Sequence, residues 1–571
     1  MKKRFFPAAV LLCALSFNAL ALVKTEDKNE PRVIRITPPA PVFSDTERQA
    51  ELARRRSAVA AKMPPNSVMI LWSAEPRNYA GDVDFMYRQE NNLYYLTNLR
   101  QKDSTLVLIK DAAGTREILF LPKRNPANET WNGKMYSSDD ATRISGVKTV
   151  NDASELDAFL DALKNKTMSS FRPENIYLLL PENEKDGDGM AEFKREMDFS
   201  KSLNGFKVES ARPIFDELRL VKSPMELKLL QHAIDITTEA QMRAMATGKN
   251  VKWEYETQAE IEYIFRKRNA DYWGYPSIVG CGPNATTLHY EESQGGVKLG
   301  DLLLMDVGAE YDHYTADVTR TFPVSGKFSK EQADIYQVVY DAQEAAAKTI
   351  KPGASFSDPS RAATEVLKGG LAKLGLTTAQ DATCQVDFKG QKVNLPQYRL
   401  WFMHGWGHWL GMNVHDVGDY GTAFKPGMVM TNEPGIYIRE DALDYLPDTP
   451  ENRAFVAKIK PAFEKYKNIG IRIEDDMLVT NTGAEWMTKD LPRSISDIEA
   501  FMEKTSKEVN YTAILENKLN PVFSVNGGNL FLSKNNLDVL NLTTFPQGKT
   551  LRSAWIWSEK ATTQAGVIHA E

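Results

Sequence analysis

The chain has 571 residues, of which 42% are hydrophobic and 26% charged, and its formal net charge is −6. This length leaves room for two or three domains, and the composition is that of an ordinary globular protein rather than a disordered or fibrous one. No basic stripe runs along the chain, so the sequence gives no indication of nucleic-acid binding.

The first 21 residues have the three regions of a secretory signal peptide. "MKKRFF" is basic, "PAAVLLCALSF" is apolar and too short for a comfortable membrane span, and "ALA" (19–21) is a small-residue cleavage site. A frayed apolar N-terminus is the alternative. We predict export to the periplasm or the medium. The mature chain would carry about −9 (−6 minus 3), because the segment holds three basic residues and no acids.

The mature chain would keep two cysteines, Cys281 and Cys384. An exported protein can pair its cysteines, but two that lie so far apart in sequence do not indicate a disulfide. We predict two free, buried thiols.

An α/β domain is predicted over residues 44–210. Residues 22–43 before it are polar and rich in proline, which indicates an extended lead-in. Ser44 and Glu47 in "SDTE" form a capping box that predicts a helix start. Helical patterns then alternate with four short apolar runs, at 67–72, 104–111, 117–122 and 175–181.

A second domain is predicted over residues 211–490. It begins with long amphipathic patterns, such as "YETQAEIEYIFRKRN", and continues with glycine-rich strands. Residues 491–571 are polar, with weak patterning and no recognisable motif, so we treat them as a C-terminal extension of unknown role.

The stretch "FMHGWGHWLGMNVHD" (402–416) holds three of the chain's seven histidines, His404, His408 and His415. It lacks the glutamate of the HExxH zinc motif, and its glycines disfavour a helix. On an extended segment, residues four apart face the same side, so His404 and His408 would point into one site. Alone, such a pair is more typical of structural histidines.

Two aspartates lie in a predicted hairpin, "LLLMDVGAEYDHYTADVTRTF". If the reversal is centred on Tyr311–Asp312, Asp306 and Asp317 are directly opposite, about 5 Å apart at Cβ. The apolar flanks indicate burial, where like charges repel strongly. A cation between the carboxylates would remove this repulsion. A surface hairpin with paired acids is the alternative.

Two glutamates lie in similar settings, Glu433 in "MVMTNEPGIYI" and Glu474 in "NIGIRIEDDMLVT". In the second segment, Arg472, Glu474 and Asp476 alternate with apolar residues, which predicts a half-buried strand with three charged side chains on one side. Charge at such a position needs a partner. Asp475 falls on the other face and is predicted to be structural.

Two Asp, two Glu and one His form a ligand set that consists mostly of oxygen. It is too hard for a structural zinc site and suits Mn²⁺, or Co²⁺, Fe²⁺ or Zn²⁺ by availability. Four carboxylates carry −4, which balances two divalent ions, and paired metals in hydrolases lie about 3.5–4 Å apart.

These segments together resemble the catalytic motifs of aminopeptidase P (Xaa-Pro aminopeptidase), of the pita-bread metallopeptidase family. The segments that carry the resemblance are "MDVGAEYDHYTADVTRTFPVSGKFS", "HGWGHWLGMNVHDVG", "NEPGIYI" and "GIRIEDDMLVT", which occur in the family's order over about residues 215–490. The upstream "MYRQENNLYYLTNL" and "LPKRNPANETWNGKMY" are similar to that family's N-terminal domain. The resemblance implies an α/β N-terminal domain followed by an α+β pita-bread catalytic domain.

Carried over by position, the resemblance implies a dinuclear site with five ligands: Asp306, Asp317, His408, Glu433 and Glu474. It implies that His289, His404 and His415 contact the substrate and the transition state, and that Arg472 orients Glu474 or a substrate group.

The activity implied by the resemblance is hydrolysis of the bond between an N-terminal residue and a following proline, usually with Mn²⁺. A metal-bridged hydroxide would attack, Glu433 would carry its proton to the leaving nitrogen, and His415 would stabilise the oxyanion. The partners implied are peptides with proline at the second position, and a homo-oligomer is expected.

Some features depart from the family's pattern. The segment "REDALDYLPDTPENRAFVAKIKPAFEKYK" (439–467) lengthens the spacing between Glu433 and Glu474, and we interpret it as a loop and helix over the rim of the site. Tyr94 stands where related enzymes often have tryptophan, so the contact between subunits at this position is open.

Several alternatives to an aminopeptidase remain. A prolidase has the same metal set but takes only dipeptides, and methionine aminopeptidase has the fold but normally lacks the preceding domain. Creatinase has both domains without the metals. A pita-bread domain kept only for peptide or protein binding is a more remote alternative, because such relatives lose ligands and all five positions are intact here.

Overall fold

The computed structural model describes residues 34–168, 171–181 and 193–508, with further short strands at 523–526, 529–532, 551–553 and 569–570. The chain divides into two compact units, Met1–Phe501 and Met502–Glu571. The predicted signal peptide and most of the lead-in lie outside the described residues. Among the described helices, none is long and apolar enough to cross a membrane.

The first domain is built on one six-stranded mixed sheet. The four apolar runs predicted from the sequence each supply a strand. In order across the sheet, the strands are β6 (Thr149–Asp152), β5 (Gly114–Leu121), β4 (Thr105–Asp111), β1 (Ser67–Trp72), β7 (Asn175–Leu178) and β8 (Lys207–Ser210). The central β1 pairs antiparallel with β4 and parallel with β7, and a small hairpin, β2 (Asn78–Ala80) and β3 (Val83–Asp84), follows it.

Apolar side chains fill both faces of this sheet. Along β1, Met69 and Leu71 join one hydrophobic cluster, whereas Val68 and Ile70 join the other. The helices of this domain are α1 (Asp45–Lys62), α2 (Asn91–Thr97), α3 (Pro126–Asn132), α4 (Ser138–Ser145), α5 (Leu156–Lys164) and α6 (Lys194–Lys201). The predicted capping box is confirmed at the start of α1. Burial on both faces explains why the strands have continuous apolar runs.

The second domain combines long helices with short antiparallel sheets. Its helices are α7 (Arg212–Leu220), α8 (Pro224–Thr247), α9 (Glu254–Lys267), α10 (Lys330–Ala347), α11 (Ser357–Leu374) and α12 (Pro450–Tyr466). Its strands are β9 (Tyr272–Trp273), β10 (Ile278–Cys281), β11 (Leu302–Val307), β12 (Ala309–Tyr311), β13 (Tyr314–Thr315), β14 (Val318–Pro323), β15 (Thr383–Phe388), β16 (Gln391–Pro396), β17 (Val429–Asn432), β18 (Gly435–Tyr437), β19 (Gly470–Arg472), β20 (Asp475–Val479) and β21 (Ala484–Trp486). The predicted α+β class is confirmed.

The hairpin that carries Asp306 and Asp317 has a different register from the predicted one. Its two-residue turn is Asp312–His313, with φ values of 52° and 68°. Asp306 therefore pairs with Thr319, which lies two residues after Asp317 in the chain. The predicted direct opposition was wrong, because the turn lies one residue later. The two aspartates still face one side, since a shift of two residues preserves the face.

The tip of this hairpin is held by the first domain. The Tyr94 ring stacks on His313, with ring centroids 3.7 Å apart, and the Tyr94 hydroxyl donates to the Asp312 carboxylate. Arg48 donates to the same carboxylate at 2.9 Å. Tyr94 thus anchors, within one chain, the turn between the two aspartate-bearing strands.

The segment around Glu474 forms two strands rather than one half-buried strand. β19 pairs with β18 and β20 pairs with β17, so the ladder is interrupted at Ile473 and Glu474. Arg472, Glu474 and Asp476 are all buried, and the predicted half-buried alternation was therefore wrong. Asp475 is structural, as predicted, because it accepts from the buried Arg320 at 2.6 Å.

The segment 439–467 contains the predicted helix, α12, which packs against β15. The Asn452 side chain donates to the Gln385 carbonyl at 2.9 Å and accepts from the Gln385 N–H at 3.0 Å. No residue of 439–467 is among the described residues that line the cavity around the predicted site residues. A place over the rim of that cavity stays a prediction.

Cys281 and Cys384 are free and buried, as predicted. Burial raises the pKa of the Cys281 thiol to about 12 and that of the Cys384 thiol to about 11. In the C-terminal extension, the structure describes α13 (Ile495–Glu508) and the strands β22 (Phe523–Asn526), β23 (Asn529–Leu532), β24 (Leu551–Ser553) and β25 (His569–Ala570).

Candidate metal centre

One cavity of about 560 Å³ brings together every site residue predicted from the sequence. They are Asp306, Asp317, His408, Glu433, Glu474, Arg472, His289, His404 and His415. Segments that are far apart in sequence therefore converge on one place.

The carboxylates project from the ends of strands. Asp306 is near the end of β11, and Asp317 immediately precedes β14. Glu433 follows β17, and Glu474 precedes β20. Because β11 pairs with β14 and β17 pairs with β20, the sheets themselves bring the four acids into two neighbouring pairs.

Three of the side chains are spaced as ligands of one ion. Asp317, His408 and Glu474 each offer a ligand atom within 4.8 Å of the others. His408 Nε2 lies 3.2 Å from Asp317 Oδ2 and 3.4 Å from Glu433 Oε1. An imidazole nitrogen facing several carboxylate oxygens is a common donor set for divalent transition metals.

Hydrogen bonding fixes which nitrogen of His408 faces the cavity. Its Nδ1 lies 3.0 Å from the Trp409 carbonyl, which can only accept, so Nδ1 carries the proton. Nε2 is then free to bind a metal, which is the usual arrangement of a histidine ligand. The segment 402–416 has no helix, as predicted, but it is a series of bends rather than an extended strand.

Arg472 is buried among the acids. Its Nη2 donates to Asp306, whereas its Nε lies 3.9 Å from Glu474. The guanidinium reaches Glu474 through Thr319, whose hydroxyl accepts from Arg472 Nε at 3.0 Å and donates to Glu474 at 2.6 Å. Arg472 therefore holds one carboxylate directly and orients another through a hydroxyl.

Tyr275 is a residue of the site that the sequence analysis missed. Its hydroxyl lies 2.6 Å from Asp306 Oδ1 and 2.5 Å from Asp317 Oδ1. Burial and the two carboxylates raise the pKa of this hydroxyl well above its ordinary value. Tyr275 thus links the two aspartates. A tyrosine in "YWGYPSIVG" carries no sequence signal for this role, which depends on the fold.

Tyr437 is a second missed residue. Its hydroxyl accepts from Arg472 Nη1 at 2.8 Å and lies 2.8 Å from His404 Nε2. His404 Nδ1 donates to the Gly405 carbonyl at 2.7 Å, so Nε2 accepts from Tyr437. Burial and Arg472 lower the pKa of His404 to about 3, which keeps the ring neutral.

A buried glutamine braces the segments that present both glutamates. Gln343, on α10, donates through Nε2 to the carbonyl of Asn432 at 2.9 Å and to that of Ile473 at 3.1 Å. These are the residues immediately before Glu433 and Glu474. This role could not be predicted from the sequence, because Gln343 lies in an ordinary amphipathic helix.

The charges of the cavity fit bound cations. Burial raises the pKa of Glu433 to about 7 and the pKa values of Asp317 and Glu474 above their ordinary range. Burial opposes the charged form of His408, but the bond to Asp317 and the charge of Glu433 raise its pKa to about 9. Carboxylates that resist ionisation beside one another are stabilised as anions by divalent ions.

His415 and His289 also line the cavity. The His415 ring packs edge-on against His408, with centroids 4.4 Å apart. Burial, together with His408 and His289, lowers the pKa of His415 to about 4, so this ring is neutral near pH 7. His415 is therefore available as a neutral donor beside His408.

Metal-free protein should become less stable as the pH rises. The folded state holds a proton on Glu433 more tightly than the unfolded chain does, because its pKa is raised from 4.5 to about 7. Its contribution to stability is complete below about pH 4.5 and is lost as the pH rises through about 7. We expect the unfolding temperature of chelated protein to fall from about pH 5 to about pH 8, measured by scanning fluorimetry.

Added Mn²⁺ should remove most of this decline, because bound cations take the place of the proton. Glu433→Gln is the control, since it keeps the shape of the side chain and cannot titrate. The metal-free variant should show a shallower decline than metal-free wild type. Equal slopes for metal-free and metal-loaded wild type would contradict the expectation.

Two family models match the chain. The model described as "Aminopeptidase P, N-terminal domain" matches residues 52–170, and the model described as "Metallopeptidase family M24" matches residues 228–481. The second match contains all five predicted ligands.

Curated relatives and solved structures agree with these models. The chain is 36% identical over 458 residues to a Xaa-Pro aminopeptidase of Haemophilus influenzae, which covers 79% of this chain and 97% of that relative. It is 34% identical to the Xaa-Pro aminopeptidase of Escherichia coli K12, covering 82% and 100%. A structure of E. coli aminopeptidase P with the inhibitor Pro-Leu matches with a TM-score of 0.65 at 31% identity, covering 82% of this chain and 100% of that one. The chain is a metal-dependent peptidase and belongs to the aminopeptidase P group of metallopeptidase family M24.

Proposed function

We propose that this enzyme hydrolyses the peptide bond between an N-terminal residue and a following proline, with two divalent metal ions. The observation that carries the proposal is the single cavity in which the predicted ligands lie beside three histidines. The relatives named Xaa-Pro aminopeptidase support the preference for proline. The proposed ligands are Asp306, Asp317, His408, Glu433 and Glu474.

The donor set supports Mn²⁺ as the metal. Carboxylate oxygens predominate, and hard oxygen ligands with one imidazole suit Mn²⁺. Four carboxylates carry −4, which two divalent ions balance. When bound, the ions supply Lewis-acid polarisation of the scissile carbonyl and a water molecule whose pKa falls toward about 7.

Glu433 is the proposed proton carrier. It accepts the proton of the attacking water and delivers it to the leaving proline nitrogen. The Thr431 hydroxyl orients the Glu433 carboxylate. Its oxygen accepts from the backbone N–H of His408 at 3.0 Å and donates to Glu433 at 3.3 Å.

The remaining histidines are proposed to act on the substrate. His415, as a neutral donor, hydrogen-bonds to the oxygen on which charge develops. His404, held by Tyr437, and His289 line the same cavity and contact the peptide. Arg472 holds Asp306 and Tyr437, which supports a role in orienting this surface.

The shape of the site favours an aminopeptidase over a prolidase. A groove of about 890 Å³ between the two domains shares Tyr275, Pro276, Val414 and His415 with the metal cavity. A chain that continues beyond proline can leave through this groove. A prolidase restricted to dipeptides would instead close the site around a free carboxylate, which needs a charged partner.

We also propose that the enzyme is exported after removal of residues 1–21. The support is the order of basic, apolar and small residues at the N-terminus. Mass spectrometry of the mature N-terminus tests this, and an intact N-terminus in the exported fraction would overturn it. The homo-oligomer expected from the resemblance stays a prediction.

The histidines should separate by role. Wild-type protein should hold about two divalent ions per chain. His408→Ala should lose metal and activity together, because it removes a ligand. His415→Ala should keep its metal while kcat falls about 10²–10³-fold, the loss expected for an oxyanion contact. Elemental analysis and kcat on Ala-Pro-Ala measure both effects, and the reverse pattern would show that the roles are exchanged.

Substrate length and sequence should separate the candidate enzymes. We expect Ala-Pro-Ala and Ala-Pro-Ala-Ala to be cleaved at least as well as Ala-Pro, because the groove accommodates the longer product. Ala-Ala-Ala should be a much poorer substrate. The measurement is kcat/KM for the four peptides under one metal concentration. Cleavage confined to Ala-Pro would indicate a prolidase, and equal cleavage of Ala-Ala-Ala would rule out proline specificity.

A further inference from the structure

The position of the His415 ring is set by the backbone of the loop that carries it. Within the described part of the chain, its ring has an edge-on contact with His408 but no hydrogen bond to another residue. The loop that carries it, residues 409–416, is not part of a named helix or strand. Whatever holds this loop therefore sets the distance between His415 and the metal ligands.

The catalytic domain holds the C-terminal side of the loop. Asp416 accepts from Arg219 at 2.6 Å and from Lys222 at 3.1 Å, and all three side chains are almost fully buried. The Asp416 N–H donates to the Trp409 carbonyl at 2.9 Å, which closes the loop on itself.

The first domain holds the N-terminal side of the loop. Arg88, just before α2, donates through Nη2 to the Met412 carbonyl at 2.9 Å. Asn91, at the start of α2, donates to the side-chain oxygen of Asn413 at 2.9 Å. These bonds attach the backbone three residues before His415 to a different domain.

The same guanidinium also holds the aspartate-bearing hairpin. Arg88 Nε lies 2.8 Å and 3.0 Å from the two carboxylate oxygens of Glu310. Glu310 belongs to β12, which lies between Asp306 and Asp317 in the chain. A planar guanidinium presents several donors in fixed directions, so Arg88 sets the loop and the hairpin relative to each other.

We propose that Arg88 is a positioning residue that fixes His415 relative to the metal ligands, so that the first domain contributes to catalysis by the second. This proposal rests on the proposed function, because it requires His415 to act in the transition state. Without the Arg88 contacts, the loop would hold His415 less firmly, while substrate binding would stay largely intact. His415 would then be misplaced when negative charge develops on the substrate oxygen in the transition state, which lowers kcat more than it changes KM.

A double-mutant cycle between Arg88→Met and His415→Ala tests the proposal. Arg88→Met should lower kcat on Ala-Pro-Ala about 10–100-fold, the scale of a small misplacement, with KM within about twofold and metal content unchanged. In the His415→Ala background, Arg88→Met should lower kcat almost no further, because the side chain that Arg88 positions is already absent. A double variant whose fold-loss in kcat equals the product of the two single losses would overturn the proposal. An unchanged kcat in Arg88→Met would also overturn it.

Arg88→Lys separates ion pairing from loop positioning. Lysine keeps the positive charge beside Glu310. It lacks the planar guanidinium, so it cannot bind the Glu310 carboxylate and the Met412 carbonyl at the same time. We expect an unfolding temperature close to wild type and a kcat loss similar to that of Arg88→Met. Full wild-type kcat in Arg88→Lys would show that charge alone matters and would overturn the positioning role.

Lys62→Met is the matched control. Lys62 is a first-domain cation that pairs across the domain boundary, with Glu217 at 2.6 Å, and among the described residues no contact joins it to the loop or to the groove. It should leave kcat near wild type, and an equal loss would indicate general loosening of the interface and overturn the proposal. If Arg88→Met does not fold, Asn91→Ala replaces it in the cycle. Wild-type protein that does not cleave Ala-Pro-Ala would refute the proposed function itself.

Discussion

Repulsion among four carboxylates that share one cavity is the constraint around which the catalytic domain is arranged. Arg472 is the only arginine or lysine among the described residues that line the cavity, so the side chains leave most of the negative charge unbalanced. Tyr275, Thr319 and Arg472 place hydrogen-bond donors against the acids, and Gln343 braces the backbone before two of them. These contacts orient the acids, and only the Arg472 guanidinium offsets one of their charges. Divalent ions supply the remaining charge, which explains why so acidic a cavity is compatible with a packed interior.

The same constraint explains the close union of the two domains. A hairpin whose strands end in mutually repelling acids needs its turn fixed from outside. The first domain does this with Tyr94 and Arg48 at Asp312. The six-stranded sheet of that domain, buried on both faces, gives these side chains a rigid base. The N-terminal domain is thus part of the framework of the metal site rather than a neighbour on a linker.

Residue type and local pattern were enough to predict that the four acids share one cavity, because charged groups inside apolar runs require an explanation, whereas the histidines were assigned through the family resemblance. The hairpin register was not predictable in the same way. Its turn uses Asp312–His313 at positive φ, without the glycine that usually marks such a turn, and a shift of one residue in the turn moves the pairing by two. Tyr275, Tyr437 and Gln343 were missed because each is an ordinary residue in an ordinary element. Their roles arise only when distant segments meet.

The pairing of Asn452 with Gln385 has a consequence for the free side of the hairpin β15–β16. A two-stranded hairpin exposes unpaired N–H and C=O groups along its outer edge, where another chain can add a strand. The Asn452 side-chain amide hydrogen-bonds to both the backbone N–H and the carbonyl of Gln385, near the middle of β15. A neighbouring strand would pair with the same two groups. Helix α12 thereby blocks the addition of another strand at this point of the β15 edge.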